Sequence, residues 1–578
     1  MTKNQLSRKN KIWNSIIFLL SVIGLIVCIA LLFLQVRQMI LDLVIRILNK
    51  EPYLYESWIG LLFSLASGGI CFILLFDYCT LTNSGRELVK ATIQGIKDCL
   101  SEIDYKIFIK PVLLMSILYL LGILTIIRAN YLYVDDAKHS ILGIRLYYDW
   151  SRYIAEFLST LVHADINVTD ISPLPQLLAI PILSFSSVLL VFILNKRKIT
   201  IVRLLACIPL GLSPYFLEGL VLKFFAPYMA LSILASIVPF LFITRKKAFL
   251  FVSVISLLVM CMTYQAASGI YMLITVALCF QYWNNREKTN KETLSFFGVA
   301  TFAFCLAMLI FRFFLMKHYN EQESGYVSNS IHPISHIISG TFNNIKNFTI
   351  IINNDLSIIW KIGILLILLF FIIRSTRRSA QKKIFSFIIS ILFIGISFIL
   401  SFGAYSLLAV PLNSPRAFIG FGVFLAVLCI YTVDYNKTAT LCVFALSWFF
   451  FIFAFSFGNA LADQARYAEF RIGLFLHDLS TLYPNKNKED IIIQIKNSID
   501  YAPSVKNIAK HSPIIKRYEL RRFEYGDWSV YYCLEHFNFA SINSISNRVD
   551  EMDLPVVLDS YYHTIKSDGE SILVVLKH

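Results

Sequence analysis

Apolar runs and short polar stretches alternate along the first three quarters of the chain. A helix crosses the roughly 30 Å hydrocarbon core of a bilayer with about 20 apolar residues. The pattern predicts spans at 13–34, 57–77, 111–128, 174–194, 200–213, 227–243, 248–263, 269–283, 294–316, 356–373, 384–405, 417–434 and 438–457. The fold class is therefore a polytopic α-helical membrane protein with about 13 transmembrane helices. The first run follows MTKNQLSRKNK. It is too long for a signal-peptide core and lacks a small-residue cleavage site after it, so it reads as a retained first span.

The polar stretches between runs are of two kinds. With the N-terminus cytoplasmic, the inner loops collect Arg86, Lys90 and Lys97, then Lys196–Lys198, Arg245–Lys247, Arg286–Lys291 and Arg374–Lys383. Basic residues concentrate in cytoplasmic loops, and every strongly basic short loop falls on that one side. The outer face receives 129–173, the stretch around 212–227, 263–269, 317–355, 412–418 and everything after about 458. The chain thus divides into a membrane domain, 1–457, and an outer domain, 458–578. In the latter, NKNKEDIIIQIKNSIDYA has helical periodicity, whereas WSVYYCLEH and PVVLDSYYHTIKSDGESILVVLK read as strands, the second with a turn at Ser567-Asp568-Gly569. About 120 residues suffice for a core, so an α/β domain is expected there.

Composition agrees. The 578 residues are 57% hydrophobic and only 15% charged, against about 25% charged in soluble domains. A net charge of +15 would ordinarily raise nucleic-acid binding. Its location in loops between spans assigns it to orientation instead, and no nucleic-acid partner is expected. The 11 cysteines are scattered, nearly all in apolar runs and Cys533 in the polar C-terminal region, with no CxxC or His/Cys cluster to hold a structural metal.

Chemistry gathers on the outer side. Asp135 and Asp136 stand directly after the third span. Taken alone they read first as solvated residues capping a helix, and otherwise as ligands for a hard cation or as a general base, because adjacent carboxylates push one pKa upward. The following segment, DDAKHSILGIRLYYDWSRYIAEFL, looks helical and amphipathic. Arg145 and Arg152, seven apart, would share one face of it and suit a phosphate. Trp150 would serve as interfacial anchor or sugar platform, Tyr147 and Tyr148 as anchors, and His139 would lie on the solvated face. Glu218, Lys223, Tyr264, Gln265 and Arg416 recur at the same depth. A lone outer cation usually snorkels. Arg152, Lys223 and Arg416 beside an acidic pair instead describe a cavity for a lipid-linked phosphate with a base at hand. No divalent metal is required, although the acidic pair is compatible with one.

An acidic pair after an early span resembles the GT-C membrane glycosyltransferases. The finer order is similar to the phage- and prophage-encoded O-antigen glucosyltransferases of the Gtr serotype-conversion family. It comprises the aspartates, then Gly143, Trp150 and Ser151-Arg152, then SPYFLEGL with F and PYMALSI downstream, then Tyr264-Gln265 and Pro415-Arg416. The resemblance implies a hexosyltransferase of the bacterial inner membrane. It would move glucose with inversion, on the periplasmic face, from undecaprenyl-phosphate-glucose to a sugar hydroxyl of lipid-linked O-antigen, thereby modifying lipopolysaccharide. It further implies that the aspartate pair supplies the base. Rival readings are an O-antigen polymerase or ligase, expected to rely on outer arginines, and a polyprenyl-linked sugar transporter, expected to carry charges near mid-membrane and a repeat.

Overall fold

The computed structural model describes residues 83–577 apart from 146–149, 318–328, 485–491, 525–526 and 540–552, together with residues 24 and 70. The spans expected at 13–34 and 57–77, and the Tyr147-Tyr148 anchors, lie outside the described residues. Each of the other expected runs coincides with a helix. Eight helices are long and apolar enough to cross a membrane. The run at 200–213 becomes one arm of a pair bent by 59°, Ile201–Leu212 followed by Pro214–Val221. The runs at 227–243 and 248–263 form shorter apolar helices, Ala226–Phe242 and Lys246–Cys261. Of the thirteen expected crossings, the eleven within the described residues thus correspond to eight, or nine with the bent pair.

The bend has a local cause. Ser213 takes an extended backbone (ψ 136°), as the residue before a proline prefers. Pro214 then starts a fresh helix, where its missing N–H costs nothing. This break carries Glu218 into the interior. The helix Ile419–Thr432 runs through the centre of the bundle, buried along its whole length. Two glycines let backbones meet beside it. A Cβ on Gly269 would lie 1.8 Å from the Leu400 carbonyl oxygen, and one on Gly420 would lie 2.1 Å from that of Ser401.

The basic loops converge at one end. Lys196 pairs with Glu287 at 2.9 Å, Arg197 with Glu102 at 3.1 Å and Arg245 with Asp98 at 3.6 Å. The helix Lys106–Ala129 starts there and has 24 residues. At 1.5 Å per residue it carries the chain about 36 Å to the opposite end, where the aspartate pair follows.

The helix Lys437–Leu482 has 46 residues, about 69 Å of rod, more than twice what a bilayer core needs. It runs unbroken past residue 457, and its far half supplies Ala468, Ile472, Phe475 and Leu479 to the core of the C-terminal region. Against them lies a four-stranded sheet of order β1-β4-β3-β2, with β1 at Ile492–Lys496, β2 at Val556–Asp559, β3 at His563–Ser567 and β4 at Ser571–Leu576. β1 pairs parallel with β4, and the other pairings are antiparallel. The expected turn at 567–569 joins β3 to β4.

Two expectations fail in this region. The segment read as helical contains β1, because β-branched Ile493 and Ile495 pair with Ile572 and Val574 and turn to the helix face. WSVYYCLEH is the helix Asp527–His536 rather than a strand. Its Val530 and Leu534, four apart, enter the same core, so helical spacing outweighs the strand preference of its aromatic residues.

Candidate active site

The chain leaves Ala129 through Asn130 in the left-handed region (φ 42°) and turns again at Val134 (φ 40°). A β-branched residue rarely adopts positive φ, and such strain persists only where the surroundings enforce it. The turn starts an eight-residue helix, Asp135–Leu142, with both aspartates in its first turn, where the helix dipole favours negative charge.

The two acids have different surroundings. Asp136 is fully buried. Its Oδ2 accepts from the backbone N–H groups of Tyr133 and Lys223, both at 3.3 Å, while its Oδ1 has no hydrogen-bond partner among the described residues. Burial pushes its carboxyl well above the usual range, against the Lys223 charge and the two N–H donors. Asp135 is half-buried, and its carboxylate has no hydrogen-bond or ion-pair partner among the described residues. Burial thus favours the neutral form of Asp136 and removes the repulsion between neighbours. Lys223 Nζ turns to Asp170 at 3.0 Å. Burial opposes ionisation of Asp170, but its Ser172 hydrogen bonds and Lys223 hold it below the usual carboxylate range.

Glu218 is the hub of a buried network. It accepts from Arg416 Nη1 at 2.7 Å, from the Arg416 backbone N–H, and from the Tyr133 hydroxyl at 2.8 Å. The Tyr264 hydroxyl donates to the Arg416 carbonyl at 3.2 Å. The Arg152 guanidinium lies 4.7 Å from the centre of the Tyr264 ring, and its Nε donates to Gln265 Oε1 at 3.4 Å. Gln265 in turn donates to the Trp150 carbonyl at 2.8 Å. A chain of contacts therefore joins Asp136, Glu218, Arg416, Tyr264, Arg152, Gln265 and Trp150, with Lys223 on the far side of Asp136 and Asp135 adjacent. Lys223 and Arg416 each face a carboxylate. Arg152 has none among the described residues.

Arg145 is placed differently. It pairs with Glu156 at 3.7 Å and donates to Thr160 at 2.6 Å and to the Asp165 carbonyl, tying the loop to the helix Tyr153–His163. The single helix expected to carry Arg145 and Arg152 on one face is broken. Gly143 (φ 64°) ends the aspartate helix, and Arg152 caps the next one. His139, expected on a solvated face, is buried with its ring 5.1 Å from both Phe224 and Phe225. Burial lowers its imidazole pKa.

The C-terminal region reaches into this network through residues 517–522, which the sequence did not single out. Arg517 pairs with buried Asp355, to which Tyr215 also donates at 3.1 Å. The Tyr518 hydroxyl donates to the Pro214 carbonyl at 2.7 Å, and the Glu519 N–H donates to the Tyr133 hydroxyl at 3.0 Å. The Tyr131 hydroxyl donates to the Leu520 carbonyl, and Arg522 donates to the Leu132 carbonyl, both at 2.9 Å. Between this segment and the aspartate turn lies a cavity of about 350 Å³, lined by Val134, Asp170 and Lys223 on one side and by Glu519, Arg521 and Tyr532 on the other. Burial pushes the Glu519 carboxyl up to about 7, with Arg416 opposing and Glu218 and Asp135 adding to the rise. Among the described residues, no group of three His, Cys, Asp or Glu side chains is arranged to hold a metal ion.

Residues 124–433 match the family model described as Glucosyl transferase GtrII. The matched stretch contains all ten candidate residues and stops before the C-terminal region. The chain is also similar to an uncharacterized 55.3 kDa protein in the gtrB 5' region of Salmonella phage P22. The two are 23% identical over 445 residues, 73% of this chain and 88% of that protein. No solved structure matches.

Proposed function

The chain belongs to the glucosyl transferase GtrII family, and on that premise we propose that it moves glucose from undecaprenyl-phosphate-glucose to a sugar hydroxyl of lipid-linked O-antigen. The transfer takes place on the periplasmic face of the inner membrane and inverts the anomeric carbon. The phage P22 relative, encoded beside gtrB, supports a place in O-antigen modification. The gathering of basic loops at the end opposite the aspartates supports the orientation through the positive-inside rule.

The observation that carries the mechanism is the contrast between the two aspartates. Asp136 is buried and held by backbone N–H groups, whereas Asp135 is half-buried with an unengaged carboxylate. Asp135 takes the proton from the acceptor hydroxyl as that oxygen attacks the anomeric carbon. The bond from that carbon to the phosphate oxygen breaks on the opposite face, and polyprenyl phosphate leaves with the electron pair. Arg152, the cation without a carboxylate partner among the described residues, meets the phosphate, held in place by Tyr264 and Gln265. Arg416 and Lys223, partly offset by Glu218 and Asp170, shape the pocket and its field, and Trp150 flanks the sugar. Polyprenyl phosphate is already a good leaving group once its charge is met, so positioning and one base suffice without a metal.

Single Asp135→Asn and Asp136→Asn variants test this, with glucose on lipopolysaccharide read by a serotype-specific antibody and membrane insertion checked by immunoblot. Asp135→Asn is expected to lose about 10²–10⁴-fold of the transfer rate. Unchanged modification by an inserted Asp135→Asn protein removes the base.

A further inference from the structure

We propose that Glu519, delivered by the C-terminal domain, is a substrate-binding carboxylate that accepts hydrogen bonds from hydroxyls of the acceptor sugar in the cavity beside the aspartate turn. The domain thereby completes the transfer site. This rests on the transfer reaction above and adds the acceptor side to it.

Three observations carry the inference. The first is position. Glu519 lines the cavity beside the aspartate turn, and its backbone is pinned there by Tyr133, with neighbouring Tyr518 and Leu520 fixed by Pro214 and Tyr131. The side chain therefore projects from a fixed point.

The second is its lack of a partner. The surrounding cations are engaged elsewhere: Arg416 with Glu218, Lys223 with Asp170, Arg517 with Asp355, Arg521 with Glu524, and Arg522 with the Leu132 carbonyl. The Glu519 carboxylate has no hydrogen bond or ion pair to a described residue. A half-buried carboxylate lining a cavity without a partner of its own is open to donors, and sugar hydroxyls supply them.

The third is sign. Asp135 and Glu519 act on one another as like charges. Two neighbouring carboxylates disfavour a phosphate between them and accept a neutral polyol. The donor headgroup then belongs on the Arg152 side and the acceptor on the Glu519 side, which sets the acceptor hydroxyl next to Asp135.

The test uses full-length protein in membranes, radiolabelled polyprenyl-phosphate-glucose, and lipid-linked glycan extracted from the native host as the acceptor probe. Glu519→Gln is expected to raise the acceptor KM by about tenfold or more while leaving the donor KM within twofold. Glu519→Asp, which keeps the charge, is expected to recover part of that loss. In the wild type the acceptor KM falls as pH rises through about 7, because the ionised carboxylate is the better acceptor. The charges facing that group are Asp135, Glu218 and Arg416, and Glu519→Gln flattens the profile. An unchanged acceptor KM in Glu519→Gln, or equal losses for donor and acceptor with the pH profile retained, overturns the proposal. Asp135→Asn separates the two ideas: full transfer there sinks the base, whereas a selective acceptor defect in Glu519→Gln stands on its own.

Discussion

Arg416 and Glu218 offer the sharpest test of how the network is held together. Glu218 is fully buried and accepts from three donors, two of them on Arg416, which is itself buried. Replacing Arg416 by Met leaves the carboxylate with the Tyr133 hydroxyl and one backbone N–H. Removing one partner of a buried ion pair costs about 3–5 kcal/mol. Replacing both, as in Glu218→Leu with Arg416→Met, removes the uncompensated charge, and such exchanges are often neutral. What remain are the Tyr133 hydroxyl and the residue-416 backbone N–H without their acceptor, a loss of about 1–3 kcal/mol each. The double variant is therefore expected to be more stable than the Glu218→Leu single, which leaves the same two donors and the Arg416 charge uncompensated, with a coupling of at least about 2 kcal/mol across the cycle. Thermal inactivation of detergent-solubilised protein, followed by size-exclusion of the fluorescently tagged chain, measures it. Losses that simply add would refute the buried-pair reasoning and make Arg416 a snorkelling residue.

Further outcomes follow from other contacts. Arg152→Gln is expected to raise the donor KM by about 10- to 100-fold with unchanged membrane content; a stability loss alone would assign Arg152 to packing on Tyr264. Gly269→Ala is expected to abolish folded protein, since its Cβ would meet the Leu400 carbonyl at 1.8 Å, and normal expression would contradict that close approach. Transfer is expected to survive EDTA treatment, and complete loss restored by a divalent cation would overturn the metal-free mechanism. His563 donates to Asp478 at 2.9 Å, yet burial holds its imidazole below the usual 6.5. The folded state then binds fewer protons than the unfolded one. Its contribution is present above about pH 6.5 and is lost as pH falls through the depressed value. Limited proteolysis is expected to attack the C-terminal domain faster at pH 5 than at pH 7.5, and greater resistance at pH 5 would contradict this.

The eight long spans within the described residues were legible because each is a long apolar run that needs no distant partner to be recognised, and Leu174–Leu194 appears with the expected limits. The bend at Ser213-Pro214 was written in the sequence, but its depth depends on packing around Ile419–Thr432. Short segments misled wherever distant residues decided them. β1 owes its strand form to β4, about eighty residues later, and Val530 with Leu534 owe their helix to a core they share with the long rod. The acidic pair and the Glu218, Lys223, Tyr264 and Arg416 positions stood out because a polar residue at the edge of an apolar run needs a reason. Glu519 carried no such signal: its bond to Tyr133 closes a separation of 386 residues. It sits in RYELRR, an ordinary-looking charged stretch.

That separation bears on how the protein matures. The partners of Asp355, Tyr131 and Tyr133 arrive with residues 517–520, long after the last span has left the ribosome. A nascent chain can thus be threaded into the bilayer while its outer polar groups still face water. On the proposed orientation, completion of the chamber waits for the final stretch of translation to cross the membrane and dock, so a chain truncated before residue 513 is expected to be inserted yet inert.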